Sequence, residues 1–325
     1  CNYKCKHCYN NCEPDKNERY IDKDKIMTVL NQLREIGVLA IELTGGEPFL
    51  HPNFEEIIMH CLKLFNIVAV ITNGSLITEK FLKSLNEHRH KLSFQVPLHS
   101  VDSSYMDDFC GNKDSFMNSE KAIKLLTKYG FLTRVGMIIT PENINSMVDT
   151  AMFAQSFIAK NSTFNEKSYS TLFFAFSVVI PVGRSNLFKN IIIESEEVFG
   201  EMQNNLKICD ERFGDFIYKD DPKIYDDQHC GVGVTSITID NSGDLKLCVM
   251  CPTIKNWGNI FNEDLRNIFS NEKTKYFADL IVPKIDIRGE CEYLWFCNNC
   301  PARGITKYME IGDKCIWGKE KIGEL

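Results

Sequence analysis

Cys1, Cys5 and Cys8 are separated by three and two intervening residues in the run Cys1-Asn2-Tyr3-Lys4-Cys5-Lys6-His7-Cys8. Three thiols at that spacing can wrap one short loop around a single iron–sulfur cluster and leave a fourth coordination position unfilled. An open iron would result. Zinc is the competing reading, although structural zinc sites pair their thiols to close a tetrahedron. Cys12 lies outside the spacing and reads as incidental. A second signal is Thr44-Gly45-Gly46-Glu47-Pro48, where two glycines let the backbone pass close to a ligand and Glu47 offers an acceptor to a cationic amine. A third is Thr72-Asn73-Gly74. Gln95 and Arg134 are polar positions inside otherwise apolar segments, where a buried polar side chain needs a partner.

The fourteen cysteines are unevenly spread: four fall in the first twelve residues and seven, Cys230, Cys248, Cys251, Cys291, Cys297, Cys300 and Cys315, fall near the other end. No signal peptide is visible in residues 1–325, and short clustered spacings in a chain of this size point to metal ligation rather than a disulfide framework. Structural zinc is the alternative here too. Cys61, Cys110 and Cys209 read as small buried apolar residues.

These residues need a scaffold. From 21 to 183, apolar positions alternate between helical and strand periods. Helices are predicted over 26–36, 54–64, 79–85, 119–129 and 146–157. Strands are predicted over 38–43, 67–71, 92–98, 133–139 and 172–180. That alternation implies parallel strands joined by crossover helices, with their C-terminal ends at one rim where loops hold ligands. Residues 184–229 read as a helical bridge. Beyond Cys230 the pattern gives a hairpin, 234–239 and 245–247 around the turn Asn241-Ser242-Gly243, then short helices over 263–269 and 274–280 and a cysteine-rich loop region. The 325 residues carry 44% hydrophobic and 25% charged side chains and a net charge of −7, so the chain folds and lacks the basic surface a nucleic-acid phosphate backbone would need. Its longest apolar stretch, Leu172 to Val182, is too short to span a membrane.

The Cys–x3–Cys–x2–Cys run, with His7 before its last thiol, resembles the signature of the radical S-adenosylmethionine (SAM) superfamily. The resemblance implies a four-iron four-sulfur cluster on Cys1, Cys5 and Cys8 with SAM on the unique iron. It further implies that Gly45, Gly46, Glu47 and Pro48 receive the SAM amino group, and that His7, Thr72, Asn73, Gln95 and Arg134 complete the SAM site. His99 and Asp102 occupy a strand end where the family often has Ser-Leu-Asp-Gly, a departure from its pattern. Pro181-Val182-Gly183-Arg184 is similar to a Pro-x-Gly-Arg turn of peptide-modifying members. The C-terminal thiols resemble the SPASM extension, which binds auxiliary iron–sulfur clusters, although Arg288 stands where one family cysteine belongs. Seven thiols fall short of the eight that two cubanes need, so the expected partition is Cys230, Cys248, Cys251 and Cys300 on one cluster. Cys291, Cys297 and Cys315 would hold the other, with a fourth position open or otherwise filled.

The implied fold is an α/β partial (β/α)6 barrel over 1–183, its first strand expected before Cys1, then the bridge 184–229 and a SPASM domain over 230–325 of β-hairpin and short helices. The implied activity is that of a cytoplasmic enzyme resembling maturases of ribosomally made peptides. It would cleave SAM reductively, abstract hydrogen from a precursor peptide and form a thioether or carbon–carbon cross-link. The partners implied are that peptide and an external electron donor of flavodoxin or ferredoxin type, with no nucleic acid and no membrane. A sulfatase-maturase-like protein oxidase and a peptide epimerase remain open as enzyme alternatives, and an iron–sulfur electron carrier as a non-enzyme one.

Overall fold

The computed structural model describes residues 1–14, 20–161, 171–219, 231, 235–246, 248–251, 258–270, 272, 275–276, 279–283, 291–297 and 299–322. Cys230 and Arg288 therefore lie outside the described residues, as do parts of the predicted bridge, hairpin and second short helix. Two compact units divide the chain: residues 1–179 with 183–219, and 180–182 with 220–325.

The first unit realises the alternating pattern. Strands β1 (Ala40–Leu43), β2 (Ile67–Ile71), β3 (Leu92–Pro97), β4 (Leu132–Ile139) and β5 (Leu172–Val178) form one five-stranded sheet in sequence order. Every neighbouring pair is parallel. This sheet is consistent with an open partial barrel, and a parallel bridge from Phe174 to Ile217 continues it beyond β5. Helices α1 (Lys23–Glu35), α2 (Phe54–Leu64), α3 (Glu79–Ser84), α4 (Ser103–Cys110), α5 (Ser115–Lys128), α6 (Met147–Asn161) and α7 (Glu196–Phe213) lie along the chain before, between and after the strands.

Alternation within each strand decides its two faces. On β3, Leu92, Phe94 and Val96 are buried while Ser93, Gln95 and Pro97 are half-buried, so the apolar set packs outward and the mixed set faces the cleft. The helices supply the other half of that core, α2 through Phe54, Ile57, Ile58, Cys61 and Leu62. Asp22 caps α1 by accepting the N–H groups of Asp24 and Lys25, a cap contributing about 1 kcal/mol.

Helix α4 is absent from the periodicity and comes from its ends: Asp102 accepts the N–H groups of Ser104 and Tyr105, and Gly111 closes the helix in the left-handed region at φ 61°. Within 184–219 the bridge consists of two tight turns, Gly183–Leu187 and Lys189–Ile191, followed by α7, which packs against α6 in the first unit.

In the second unit, β6 (Thr238–Ile239) and β7 (Leu245–Lys246) pair antiparallel around the predicted turn. Helix α8 (Leu265–Ser270) falls where a short helix is predicted. The expected cysteine-rich loop region contains helices Leu294–Cys297, Pro301–Ile311 and Ile316–Lys321 instead. They exist because small residues let them touch: a side-chain carbon on Gly304 would stand 2.7 Å from the Trp317 ring, and that indole donates to the Ile281 carbonyl at 2.8 Å. Among the described residues, no helix is long and apolar enough to cross a membrane.

Candidate active site

Parallel strands deliver the Thr44–Pro48 turn, the Thr72–Gly74 turn and the segment from His99 to Asp102 to one rim, after β1, β2 and β3. The N-terminal loop is fastened across that rim at several points. Asn2 donates to Ser75 Oγ at 2.9 Å and accepts from Asn73 Nδ2 at 2.8 Å. Tyr3 is fully buried and accepts at its hydroxyl from Asn118 of α5 at 2.9 Å. The Lys6 N–H donates to the Phe109 carbonyl at 2.9 Å, and the Lys6 ammonium pairs with Asp108. Tyr9 bonds Thr44.

This fastening arranges the three thiols. Cys1 lies against Gly46 so closely that a side-chain carbon there would stand 2.9 Å from the Cys1 Cβ. Glycine is therefore required where the turn meets the loop. Cys1 and Cys5 pack on the buried cluster Tyr3, Met106 and Cys110. A hydrogen bond with Cys110 and burial hold the Cys5 thiol well above the usual range. Cys8 accepts the Cys12 N–H at 3.3 Å, and the Cys12 side chain's hydrogen bond, working against burial, brings the Cys8 thiol down to about 6. Cys12 thus belongs to the site.

No disulfide joins the described cysteines. Among the described residues, no three His, Cys, Asp or Glu side chains are gathered tightly enough to grip a single metal ion. A cubane is larger than an ion, and soft thiolates on one loop are the donors it takes, so the loop fits an iron–sulfur cluster better than bare zinc.

His7 stacks on Phe109 with ring centroids 4.6 Å apart and meets His99 edge-on at 4.9 Å. Burial lowers the His7 imidazole to about 4, helped by the charge of Arg184. Its Nδ1 is buried without a hydrogen-bond partner, which leaves a position for a ligand. The Glu47 carboxylate accepts from Phe49 N–H at 3.2 Å and Thr72 Oγ at 2.8 Å through one oxygen, and from Asn73 N–H at 2.7 Å through the other. A carboxylate offers about four acceptor positions. One remains on the second oxygen, enough for an ammonium group, while burial raises the Glu47 carboxyl above its ordinary value. Pro48 opens the tight turn Pro48–Leu50 that carries Phe49.

Gln95 and Arg134 partner one another across β3 and β4: Arg134 Nε donates to Gln95 Oε1 at 2.7 Å, joined by Nη2. The guanidinium lies over the Tyr218 ring at 5.2 Å and keeps further donors for a ligand in the cleft. Asp102, singled out from the sequence, serves as the α4 cap.

In the second unit the described thiols neighbour one another, and, beyond burial, Cys300 raises both Cys251 and Cys297. Cys291, Cys297 and Cys315 line one small cavity, together with Lys307 and Tyr293. Burial, then the neighbouring Cys315 and Cys291, push the Cys297 thiol up to about 12. Cys251 is raised to about 12 by burial, with Cys248 and Cys300 adding to the effect. The Cys251 N–H donates to the Cys248 carbonyl at 3.1 Å, and Cys248 Sγ accepts from Met250 N–H at 3.3 Å. Cys230 lies outside the described residues.

The sequence reading missed Phe109 and Met106, which wall the loop, because it missed α4, whereas Cys110 beside them is buried as expected. The capping pair Asp102 and Gly111 was the available signal.

Comparison with known proteins agrees with this geometry. The profile of the radical SAM superfamily matches residues 1–154, and the iron–sulfur cluster-binding SPASM profile matches residues 230–301. The chain is 29% identical to the antilisterial bacteriocin subtilosin biosynthesis protein AlbA of Bacillus subtilis (strain 168), over 99% of this chain and 69% of that protein. Native anSMEcpe with bound AdoMet superposes with a TM-score of 0.65 at 16% identity, over 97% of this chain and 95% of that one. Streptococcus suis SuiB bound to precursor peptide SuiA superposes with a TM-score of 0.66 at 17% identity, over 94% of this chain and 70% of that one. At such identities the structural likeness establishes the fold.

Proposed function

We propose that this chain, which belongs to the radical SAM superfamily and carries a SPASM iron–sulfur cluster-binding domain, is an enzyme that modifies a ribosomally made precursor peptide by introducing a thioether or carbon–carbon cross-link. One observation carries the reading: the three-thiol loop lies on the rim of a parallel sheet in contact with Gly46 of the Gly-Gly-Glu-Pro turn. A simple electron carrier has no use for an amine-receiving turn beside its thiols.

Cys1, Cys5 and Cys8 would hold the catalytic cluster. Gly46 allows the turn to approach, and the remaining acceptor position of Glu47 orients an ammonium group. His7 and Phe109 cover the loop and keep water from it. Arg134, steadied by Gln95, offers donors to polar groups of a bound nucleoside or amino acid. Once bound, cluster and SAM supply the hard chemistry, reductive cleavage to a 5′-deoxyadenosyl radical that takes hydrogen from the substrate. In the SPASM unit, Cys248, Cys251 and Cys300, with Cys230, would hold one auxiliary cluster, and Cys291, Cys297 and Cys315 the other. A low-potential donor of flavodoxin or ferredoxin type would feed the electron. The reading implies the reducing cytoplasm, where thiols stay available to clusters. Similarity over nearly the whole chain to AlbA, a bacteriocin biosynthesis protein, favours a peptide substrate.

The test is anaerobic. Reconstituted, reduced protein is incubated with SAM, and 5′-deoxyadenosine is measured beside a Cys5→Ala control. The expected result is product from the wild type alone. No product from a protein with an intact, reduced cluster overturns the enzyme reading. Coexpression with a small peptide encoded beside the gene then identifies the bond. A cross-link removes two hydrogens, whereas an unchanged mass with an inverted residue indicates epimerisation.

A further inference from the structure

Arg184 is only 6% exposed, although arginine almost never loses contact with water unless its charge is paired. Its hydrogen bonds go to one place. The backbone N–H donates to the Cys8 carbonyl at 2.9 Å, Nη1 to the Cys5 carbonyl at 2.9 Å and Nη2 to the Cys12 carbonyl at 2.6 Å. A single residue thus takes the carbonyls of three cysteines on a loop at least 172 positions away. Gly183 makes this approach possible: it sits at φ 69°, and a side-chain carbon there would collide with the Tyr9 carbonyl. The facing carboxylate, Glu13, stands 3.9 Å from Nη2, is half-exposed and is itself paired with Lys4 at 2.7 Å. It leaves the guanidinium charge largely directed at the loop.

We propose that Arg184 is a positioning residue that fixes the backbone of the three-thiol loop and, through its buried charge, makes the cluster held there easier to reduce. Two physical effects combine. Carbonyls held by a rigid planar fork cannot rotate, so the thiols stay in the geometry that receives a cluster. A cation in a poorly solvated position favours the more electron-rich of two redox states, because burial weakens the screening that water would give. Lysine could supply the charge without the fork, and glutamine a donor without the charge. The inference rests on the reading that Cys1, Cys5 and Cys8 hold the SAM-cleaving cluster, and its test does not involve peptide.

Arg184→Met, Arg184→Gln and Arg184→Lys proteins are reconstituted anaerobically, compared with wild type by circular dichroism and iron content, and titrated against potential while the SAM-responsive electron paramagnetic resonance signal is followed. The expected result is that the Met and Gln variants become about tenfold harder to reduce, a shift of about 59 mV for one electron, whereas Lys stays near wild type. If Met does not fold, the Gln and Lys pair carries the comparison. Equal potentials and line shapes for Gln, Lys and wild type, at equal iron content, overturn the proposal. A wild type that binds iron but shows no SAM-responsive signal instead overturns the cluster reading beneath it.

Discussion

Glu47, at the rim after β1, accepts the hydroxyl of Thr72, at the rim after β2, at 2.8 Å, so two loops 25 positions apart share one buried carboxylate. The same carboxylate takes the N–H groups of Phe49 and Asn73. It is a joint before it is a ligand.

Replacing it tests both roles. In Glu47→Gln, whichever way the amide turns, its NH2 faces either the Phe49 or the Asn73 N–H, and a buried donor is left unpaired. The expected cost is about 1–3 kcal/mol in urea unfolding, with SAM cleavage reduced at least about tenfold. A variant as stable as wild type and binding SAM equally well would show that the joint carries neither role.

His99 gives stability a pH dependence. It is 3% exposed, and its Nδ1 accepts the Ile138 N–H at 3.1 Å, so the ring is neutral with its proton on Nε2. Burial, with His7 beside it, holds the imidazole well below 6.5. Below that pH the unfolded chain binds a proton that the folded one refuses, so stability rises with pH and is lost as pH falls through about 6.5. Unfolding of wild type should lose up to about 1.4 kcal/mol per pH unit more than His99→Gln in that window. Identical slopes would mean that His99 titrates normally in the folded state.

Cys297→Ala separates the two thiol-rich regions. Cys297 lines the cavity with Cys291 and Cys315 in the second unit, whereas the Cys1–Cys8 loop and its turn belong to the first. The variant should lose about one cubane's worth of iron and its modified peptide while still producing 5′-deoxyadenosine. Since metal binding and folding are coupled in such sites, circular dichroism must show the remaining helices intact. Full iron content and a wild-type rate of peptide modification would remove Cys297 from the set of ligands.

How far the site could be read beforehand follows from what each residue contacts. The strands and α2 were legible because Val68, Val70, Phe94, Val96, Ile57 and Ile58 repeat at the periods their burial demands. The three thiols and the Gly-Gly-Glu-Pro turn were legible because their chemistry constrains residue type at fixed spacing. Helix α4 was not, since Ser103, Ser104, Asp107 and Asp108 break the apolar repeat and only its caps declare it. Helix Pro301–Ile311 was hidden for another reason. It packs through Pro301, Ala302 and Gly304 beside the buried Ile305, so closeness to Trp317 stands in for a longer row of large apolar side chains. The contacts of Cys12 with Cys8 and of Arg184 with Cys5 and Cys12, two residues named from the sequence, could not be foreseen because they run through backbone atoms, which have no sequence signature.

The loop's moorings also have an order in time. Asn2 is secured by residues 71 and 73 positions later, Tyr3 by one 115 positions later, and Cys5 by Arg184, 179 positions later. At a synthesis rate of about 5–20 residues per second, the first thiols emerge on the order of ten to forty seconds before the last of these moorings exists. During that interval Cys1, Cys5, Cys8 and Cys12 belong to an unanchored nascent chain, open to oxidants and stray metals. The native geometry of the loop is therefore complete only after Arg184 is translated, and the speed of ribosome transit sets how long the reactive thiols go unguarded.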